Sequence, residues 1–392
     1  LVERSRRLER IPPYLFGEIA RRKAAALAAG RDLIDLGIGD PDQPTPESIL
    51  DALARAARDP EVHRYDESPA GEPAFLQSAC RWFERRFGVE LDPQTEALLL
   101  IGSKEGLAHL AWAYIDPGDL ALVPDPAYTV YKVNTWMAGG DVLSLPLREE
   151  RGFLPDLSLV PTDAAKRAKL LWLNYPNNPT GAVATLGFYE EAVEFCRSHN
   201  ILLVNDAAYS AVAFDGFVPP SVLQVPDAKE IAIEFHSLSK MFNMTGWRLG
   251  MALGNPEAIA TLNKLKSNID SKQFAAISRA GAFALDHADN SATLALIQKR
   301  RDILVDGLRR LGWNVRKPQA TFYVWSPIPT QESSLDFAAR LLDQAGVLVI
   351  PGIGYGEHGE GYIRMSLTVM GDREGERVAE AVERIARMGT AV

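Results

Sequence analysis

Short apolar runs alternate with helical patterns through the middle of the chain. The runs are ALLLIGS (97–103), LALVPDP (120–126), KLLWLNYP (169–176), ILLVND (201–206), IAIEFHS (231–237) and GMALG (250–254). They are Leu-rich or β-branched, and Gly, Pro, Asn, Asp or Ser follows each. Runs of this kind, interleaved with helices, predict a mostly parallel sheet with crossover helices. The clearest helix follows Gly102: SKEGLAHLAWAY puts Leu107, Leu110, Ala111 and Tyr114 on one face, with Ser103 as its expected N-cap.

The C-terminal third changes character. Leu294, Ile297, Ile303, Leu304, Leu308 and Leu311 recur at helical spacing, and Gly312 is the expected stop. Strand-like TFYVWS (321–326), helix-like SLDFAARLLDQAG (334–346), strand-like VLVI (347–350) and YIRMSL (362–367), and a terminal helix follow. The pattern predicts an α/β unit over residues 40–290 and a smaller α+β unit over 291–392, with an N-terminal arm, 1–39, packing on the smaller one.

At 392 residues the chain has room for two or three domains. A content of 47% hydrophobic and 24% charged residues is that of a globular protein able to bury a large core. Forty-two Lys and Arg against 51 Asp and Glu leave a net charge of −9, which argues against nucleic acid as a partner. Cys80 and Cys196 are too few for a disulfide framework or a multi-cysteine zinc site, and both read as buried thiols on helices. No apolar run approaches the ~18 residues of a membrane span, and the charged opening lacks a signal core, so a cytoplasmic protein is expected.

In open α/β sheets ligands bind beyond the carboxyl ends of the strands. The residues there are Gly102-Ser103-Lys104, Asp125 to Tyr128, Asn174 to Pro179, Asp206 with Tyr209, and Ser237 to Lys240, with Arg248 eight residues later. The set joins a lysine and an isolated Asp to phenols, amides and phosphate-binding groups, without a metal cluster, a P-loop or G-x-S-x-G. PGIGYG (351–356) has dinucleotide-like glycine spacing but no helix after it.

SLSK followed by NMTGWRLG, with NYPNNPTG and DAAY upstream, resembles the class I/II aminotransferases, pyridoxal-phosphate enzymes of fold type I, over essentially the whole chain. IPPYLFGEI (11–19), LGIGDPDQPTP (36–46), EFHSLSK (234–240) and PGIGYGEHGEGYIR (351–364) look most like the LL-diaminopimelate aminotransferases among them. The resemblance implies a seven-stranded, mostly parallel sheet sandwiched by helices, and pyridoxal 5'-phosphate as cofactor.

It also implies roles. Lys240 attaches the cofactor aldehyde and moves the substrate's α-proton; Asp206 keeps the ring nitrogen protonated. Asn178 and Tyr209 donate to the phenolic oxygen, and Tyr128 stacks on the ring. Ser103, Lys104, Ser237 and Arg248 bind the phosphate, and Tyr65 reaches the phosphate of a neighbouring subunit, which makes the unit a homodimer with shared active sites. Arg364 takes the α-carboxylate, with Gly39, Asn178 and Tyr14 on the same substrate side.

Taken singly, the residues have plainer readings. Lys240 reads as a surface lysine, Asp206 as an N-cap, Asn178 and Gly39 as turn residues, Tyr128 and Tyr65 as loop aromatics, Tyr209 as core and Arg248 as half of an ion pair.

The substrate side departs from the diaminopimelate pattern. D-E-S-P-A-G (66–71) stands where a Pro-rich turn with an aromatic is expected, Ala211 where Glu is expected, and Lys272-Gln273 where Gly and a small or apolar residue are usual; Met241-Phe242 is also uncommon. The leading expectation is an aminotransferase passing an amino group from a diaminopimelate-like amino acid to an oxo acid such as 2-oxoglutarate. The alternative is a pyridoxal-phosphate lyase or γ-substitution enzyme, which the cofactor motifs do not separate from it.

Overall fold

The computed structural model describes residues 2–11 and 15–389. Twelve strands lie in three sheets: β1 (Ile34–Asp35), β2 (Ala97–Leu100), β3 (Leu120–Asp125), β4 (Asp141–Pro146), β5 (Ala168–Leu173), β6 (Leu202–Asp206), β7 (Ala232–Ser237), β8 (Gly250–Gly254), β9 (Tyr323–Pro327), β10 (Val347–Leu348), β11 (Ile350–Pro351) and β12 (Tyr362–Ser366).

The main sheet has seven strands in the order β2-β8-β7-β6-β5-β3-β4. Both neighbours of β8 run antiparallel to it, and every other pair is parallel. Alternate residues feed two dry faces. Leu98, Leu100, Val123, Trp172, Val204 and Phe235 pack on one side; Leu99, Leu122, Leu171, Leu203 and Leu253 pack on the other. Helices cover both faces, so the strands read as unbroken apolar runs. Edge strand β4 is mostly half-exposed, which is why its sequence gives little signal.

A second core gathers Leu304, Leu308, Val324, Phe337, Ile363, Met365, Val378 and Ile385. Ile34 and Leu36 from the chain's beginning lie in it, and β1 pairs in parallel with β10, Ile34 opposite Val347. VLVI is not one strand: it divides at Val349, with β10 serving this pair and β11 the antiparallel sheet β11-β12-β9. The helices Ala275–His287 and Ser291–Arg310 are separated by a three-residue irregular link, 288–290. Cys80 and Cys196 are buried on helices, and burial pushes both thiols up, Cys80 to about 12.

Candidate active site

The carboxyl ends of β2, β3, β5, β6 and β7 open onto a cavity of about 340 Å³. Eleven of the residues singled out from sequence line it: Gly39, Ser103, Lys104, Tyr128, Asn178, Asp206, Tyr209, Ser237, Lys240, Arg248 and Arg364. Tyr65 does not. It is 85% exposed and borders a separate cavity of about 290 Å³. Tyr14 lies outside the described residues.

β7 ends at Ser237, whose hydroxyl accepts from Ser239 N (3.2 Å) and starts the short helix Leu238–Met241. One turn on, Lys240 Nζ donates to Gly39 O at 3.1 Å. Burial lowers the lysine to about 8; Arg248 and Arg364 push the same way, and Asp40 opposes them. A neutral amine is therefore within reach near physiological pH, which nucleophilic attack on a carbonyl requires.

Asp206 terminates β6 and is buried. Burial raises its carboxyl to about 6, against hydrogen bonds from Tyr131 Oη (2.8 Å) and Ala208 N (3.3 Å) and the nearby His236. Tyr131 is itself fixed by stacking on Trp172, 5.3 Å away at 21°. A ligand cation placed beside Asp206 would restore its ionised form.

The opposite wall is an anion seat. The helix Ser103–Tyr114 begins there, but its N-cap is Gly102, not Ser103. Ser103 is the first helical residue, so it lines the cavity instead of capping with its side chain. A Cβ on Gly102 (φ 76°) would sit 2.4 Å from Arg248 Nη2, so only glycine lets the guanidinium approach the helix end. Arg248 holds a left-handed backbone (φ 54°, ψ 58°), uncommon for a non-glycine residue, and is anchored to Thr245 O at 2.6 Å.

Arg364, on β12, is buried. Its Nη1 donates to Asn178 Oδ1 (2.9 Å) and its Nη2 to Gly37 O (2.7 Å), and the guanidinium lies over the rings of Tyr323 (4.0 Å) and Tyr355 (5.1 Å). Its buried Nε has no hydrogen-bond partner among the described residues. Asn178 is held in turn by Asn174 Oδ1, which accepts from Asn178 N at 2.9 Å. Tyr209 Oη lies 3.0 Å from Tyr323 Oη, and burial pushes the Tyr209 phenol far up.

An amine, a buried carboxyl, an anion seat and an arginine with spare donor capacity thus share one cavity, and this donor set fits pyridoxal phosphate together with an amino-acid carboxylate. Sequence reasoning missed Tyr131, Asn174 as a clamp, Asp40 and Tyr323. The first and last come from a helix and a strand whose own patterns read as core.

The departures noted in the sequence lie elsewhere. Lys272 Nζ donates to Asp66 O (3.0 Å) and to Ser68 O, and lies 3.7 Å from the Asp66 carboxylate. Gln273 Nε2 donates to Leu100 O at 3.3 Å, Ala211 packs against the first core, and Met241 and Phe242 are buried in it.

The family model for class I and II aminotransferases matches residues 31–382. The chain is 50% identical over 389 residues to an LL-diaminopimelate aminotransferase of Moorella thermoacetica, covering 99% of this chain and 98% of that one. It is 52% identical over 387 residues to an LL-diaminopimelate aminotransferase of Gloeobacter violaceus, covering 98% and 97%. Among solved structures, substrate-bound BacF from Bacillus subtilis superposes with a TM-score of 0.93 at 36% identity, covering 99% of this chain and 98% of that one. A single mutant of Thermus thermophilus aspartate aminotransferase does so with a TM-score of 0.90 at 30% identity, covering 99% and 100%. With the site geometry and these matches together, the chain belongs to the class I and II aminotransferases and is a pyridoxal-phosphate-dependent aminotransferase of fold type I.

Proposed function

We propose that this aminotransferase takes its amino group from LL-diaminopimelate or a closely similar amino acid and passes it to an oxo acid such as 2-oxoglutarate. The observation that carries the reading is the convergence in one cavity of Lys240, Asp206, the anion seat and Arg364. The donor is suggested by the curated relatives at 50–52% identity.

When bound, pyridoxal phosphate supplies an electron sink that acidifies the α-C–H of an amino acid. The chain's residues do the rest. Ser103, Lys104, Ser237 and Arg248 would hold the phosphate at the helix end, and Asp206 would keep the ring nitrogen protonated. Tyr209 and Asn178 would donate to the phenolic oxygen, and Tyr128 would pack against the ring. Arg364 binds the α-carboxylate beside the Gly39 backbone, which fixes the α-C–H toward Lys240. Lys240 Nζ, neutral once released, accepts that proton and later returns it. Tyr14, outside the described residues, is assigned to the substrate side.

The functional unit is a homodimer in which Tyr65 serves the neighbouring subunit's phosphate. Its exposure supports this, as do the exposed Ile269 and Phe274 on adjoining segments. Residues 40–290 act as the cofactor domain and 291–392 as the substrate-closing domain; of the arm 1–39, Ile34 and Leu36 join the latter's core, whereas Arg7 donates to Met137 O and Arg10 pairs with Asp141 on the former. We place the enzyme in the cytoplasm; no described helix is long and apolar enough to cross a membrane.

The test is a titration of the holoenzyme's visible band. LL-diaminopimelate should bleach it and 2-oxoglutarate should restore it, with glutamate formed in equal amount. An unresponsive band with LL-diaminopimelate, in a protein that responds to other amino acids, would refute the donor. Mixing Lys240→Ala chains with Tyr65→Phe chains tests the shared site, since some mixed dimers then carry one intact site and regain activity.

A further inference from the structure

Tyr323 stands at the junction of three groups to which the proposed function gives roles. It lies on β9 and is buried. Its register partner is Ser366 and Arg364 pairs with Trp325, so Tyr323 and Arg364 are diagonal neighbours on one face of the sheet. The Arg364 guanidinium rests 4.0 Å above the Tyr323 ring. The Tyr323 hydroxyl meets Tyr209 Oη at 3.0 Å, and this is its hydrogen bond among the described residues. A Cβ on Gly39 would sit 1.9 Å from the same hydroxyl, so glycine there is a condition of Tyr323's position.

A phenol carries one proton. If Tyr209 points its proton at the cofactor's phenolic oxygen, that proton is not available to Tyr323, and the 3.0 Å contact must be made with the Tyr323 proton. The two hydroxyls then form a chain in one direction, Tyr323 to Tyr209 to cofactor, and each bond polarises the next. The ring below does a different task. It offers its π face to a guanidinium whose Nη1 and Nη2 are tied to Asn178 and Gly37, and so sets the plane in which the remaining donors meet a carboxylate.

We infer that Tyr323 is a positioning residue with two separable parts: a hydroxyl that orients the Tyr209 proton toward the cofactor, and a ring that is the platform for Arg364. This rests on the roles proposed above for Tyr209 and Arg364.

The experiment uses the pyridoxal-phosphate-loaded protein as wild type, Tyr323→Phe, Tyr323→Leu, Tyr209→Phe and the Tyr209→Phe/Tyr323→Phe double variant. One readout is the pH midpoint of the visible absorbance without substrate. The other is the dissociation constant of 2-methylglutamate, which has an α-carboxylate but no α-hydrogen. Tyr323→Phe should raise the midpoint by roughly 0.5–1 pH unit, the equivalent of one hydrogen bond, and leave 2-methylglutamate binding within about twofold. Tyr323→Leu should also weaken 2-methylglutamate roughly tenfold. In the Tyr209→Phe background, Tyr323→Phe should shift nothing further. An unmoved midpoint in Tyr323→Phe while Tyr209→Phe shifts it, or an additive shift in the double variant, overturns the hydroxyl part. Unchanged binding in Tyr323→Leu overturns the ring part. An unmoved midpoint in Tyr209→Phe itself refutes the role of Tyr209 and takes the hydroxyl part with it. Tyr323→Phe, nearly isosteric, keeps the test open if Tyr323→Leu does not fold.

Discussion

Replacing Lys240 with methionine should make the cofactor-free protein more stable while removing its means of attaching the cofactor. Lys240 falls from an ordinary 10.5 to about 8, chiefly through burial, with Arg248 and Arg364 adding to it. A drop of 10.5 − 8 = 2.5 units corresponds to about 3 kcal/mol by which folding is penalised when the unfolded lysine is charged, as it is at pH 7. Methionine has a similar length and no charge, so it lifts that penalty. It also loses the hydrogen bond from Nζ to Gly39 O (3.1 Å), worth about 1 kcal/mol. The net expectation is roughly 2 kcal/mol of added stability at pH 7. The pH dependence gives the sharper check. The folded lysine binds its proton more weakly than the unfolded one, so wild-type stability rises between about pH 8 and 10.5, and the advantage of Lys240→Met shrinks over that window. Urea unfolding of both apoproteins at pH 7, 9 and 10.5 measures it. A variant no more stable than wild type at pH 7, or one whose advantage does not change with pH, would refute the reasoning.

Four further outcomes are expected. Asp206→Asn should weaken pyridoxal-phosphate binding and flatten its rise through pH 6; because the folded carboxyl titrates near 6 against 3.8 unfolded, wild-type apoprotein should also lose about 3 kcal/mol between pH 4 and 6 that the variant keeps, seen by equilibrium dialysis and urea unfolding. Gly39→Ala should disturb Tyr323, whose hydroxyl would lie 1.9 Å from the new methyl, and weaken amino-acid binding at least about tenfold with cofactor retained, in a spectral titration. Arg364→Gln should weaken amino-acid binding by about 3 kcal/mol, roughly two orders of magnitude; equal loss of cofactor would refute its assignment to the carboxylate. Lys272→Ala frees the carbonyls of Asp66 and Ser68, and should loosen cofactor retention without dissociating the chains, by dialysis alongside light scattering.

What sequence could yield followed from how each element is buried. β2, β3, β5, β6, β7 and β8 are dry on both faces, so their apolar runs stand out, and all but antiparallel β8 end at the residues that line the cavity. β4 sits at the sheet edge, half-exposed, and DVLSLP gives neither a run nor an alternation. VLVI reads as one strand because its apolar character is continuous, yet hydrogen bonding splits it between two sheets. Within the site, side chains on the strand-end loops were legible because punctuation marks those loops. Tyr131 reaches Asp206 from a helix and Tyr323 reaches Tyr209 from a strand, and in a linear pattern each is one more aromatic among core residues. Ser103 looked like a cap because serine before a helix usually is one; the cap is instead the glycine ahead of it, which the approach of Arg248 requires, so the helix starts one residue nearer the N-terminus.

The departures from the diaminopimelate pattern are open to a changed substrate or reaction or to neutral drift, and their positions bear on the choice. Lysine at 272 places a cation where two backbone carbonyls of residues 66 and 68 and the Asp66 carboxylate converge, while Asp66 itself accepts from Ser68 N at 2.9 Å. Neither change is readily explained alone: a half-buried ammonium needs acceptors, and a loop without its Pro-rich turn needs an anchor. Together they satisfy each other, as a matched exchange would. None of Asp66, Ser68, Ala211, Lys272 or Gln273 lines the cavity that holds Lys240 and Arg364. Lys240, Asp206, Tyr209 and Arg364 do line it. The exchange instead fixes the loop that carries Tyr65, whose side chain turns outward. In the dimer proposed above, that loop is the one through which one subunit would complete the site of the other.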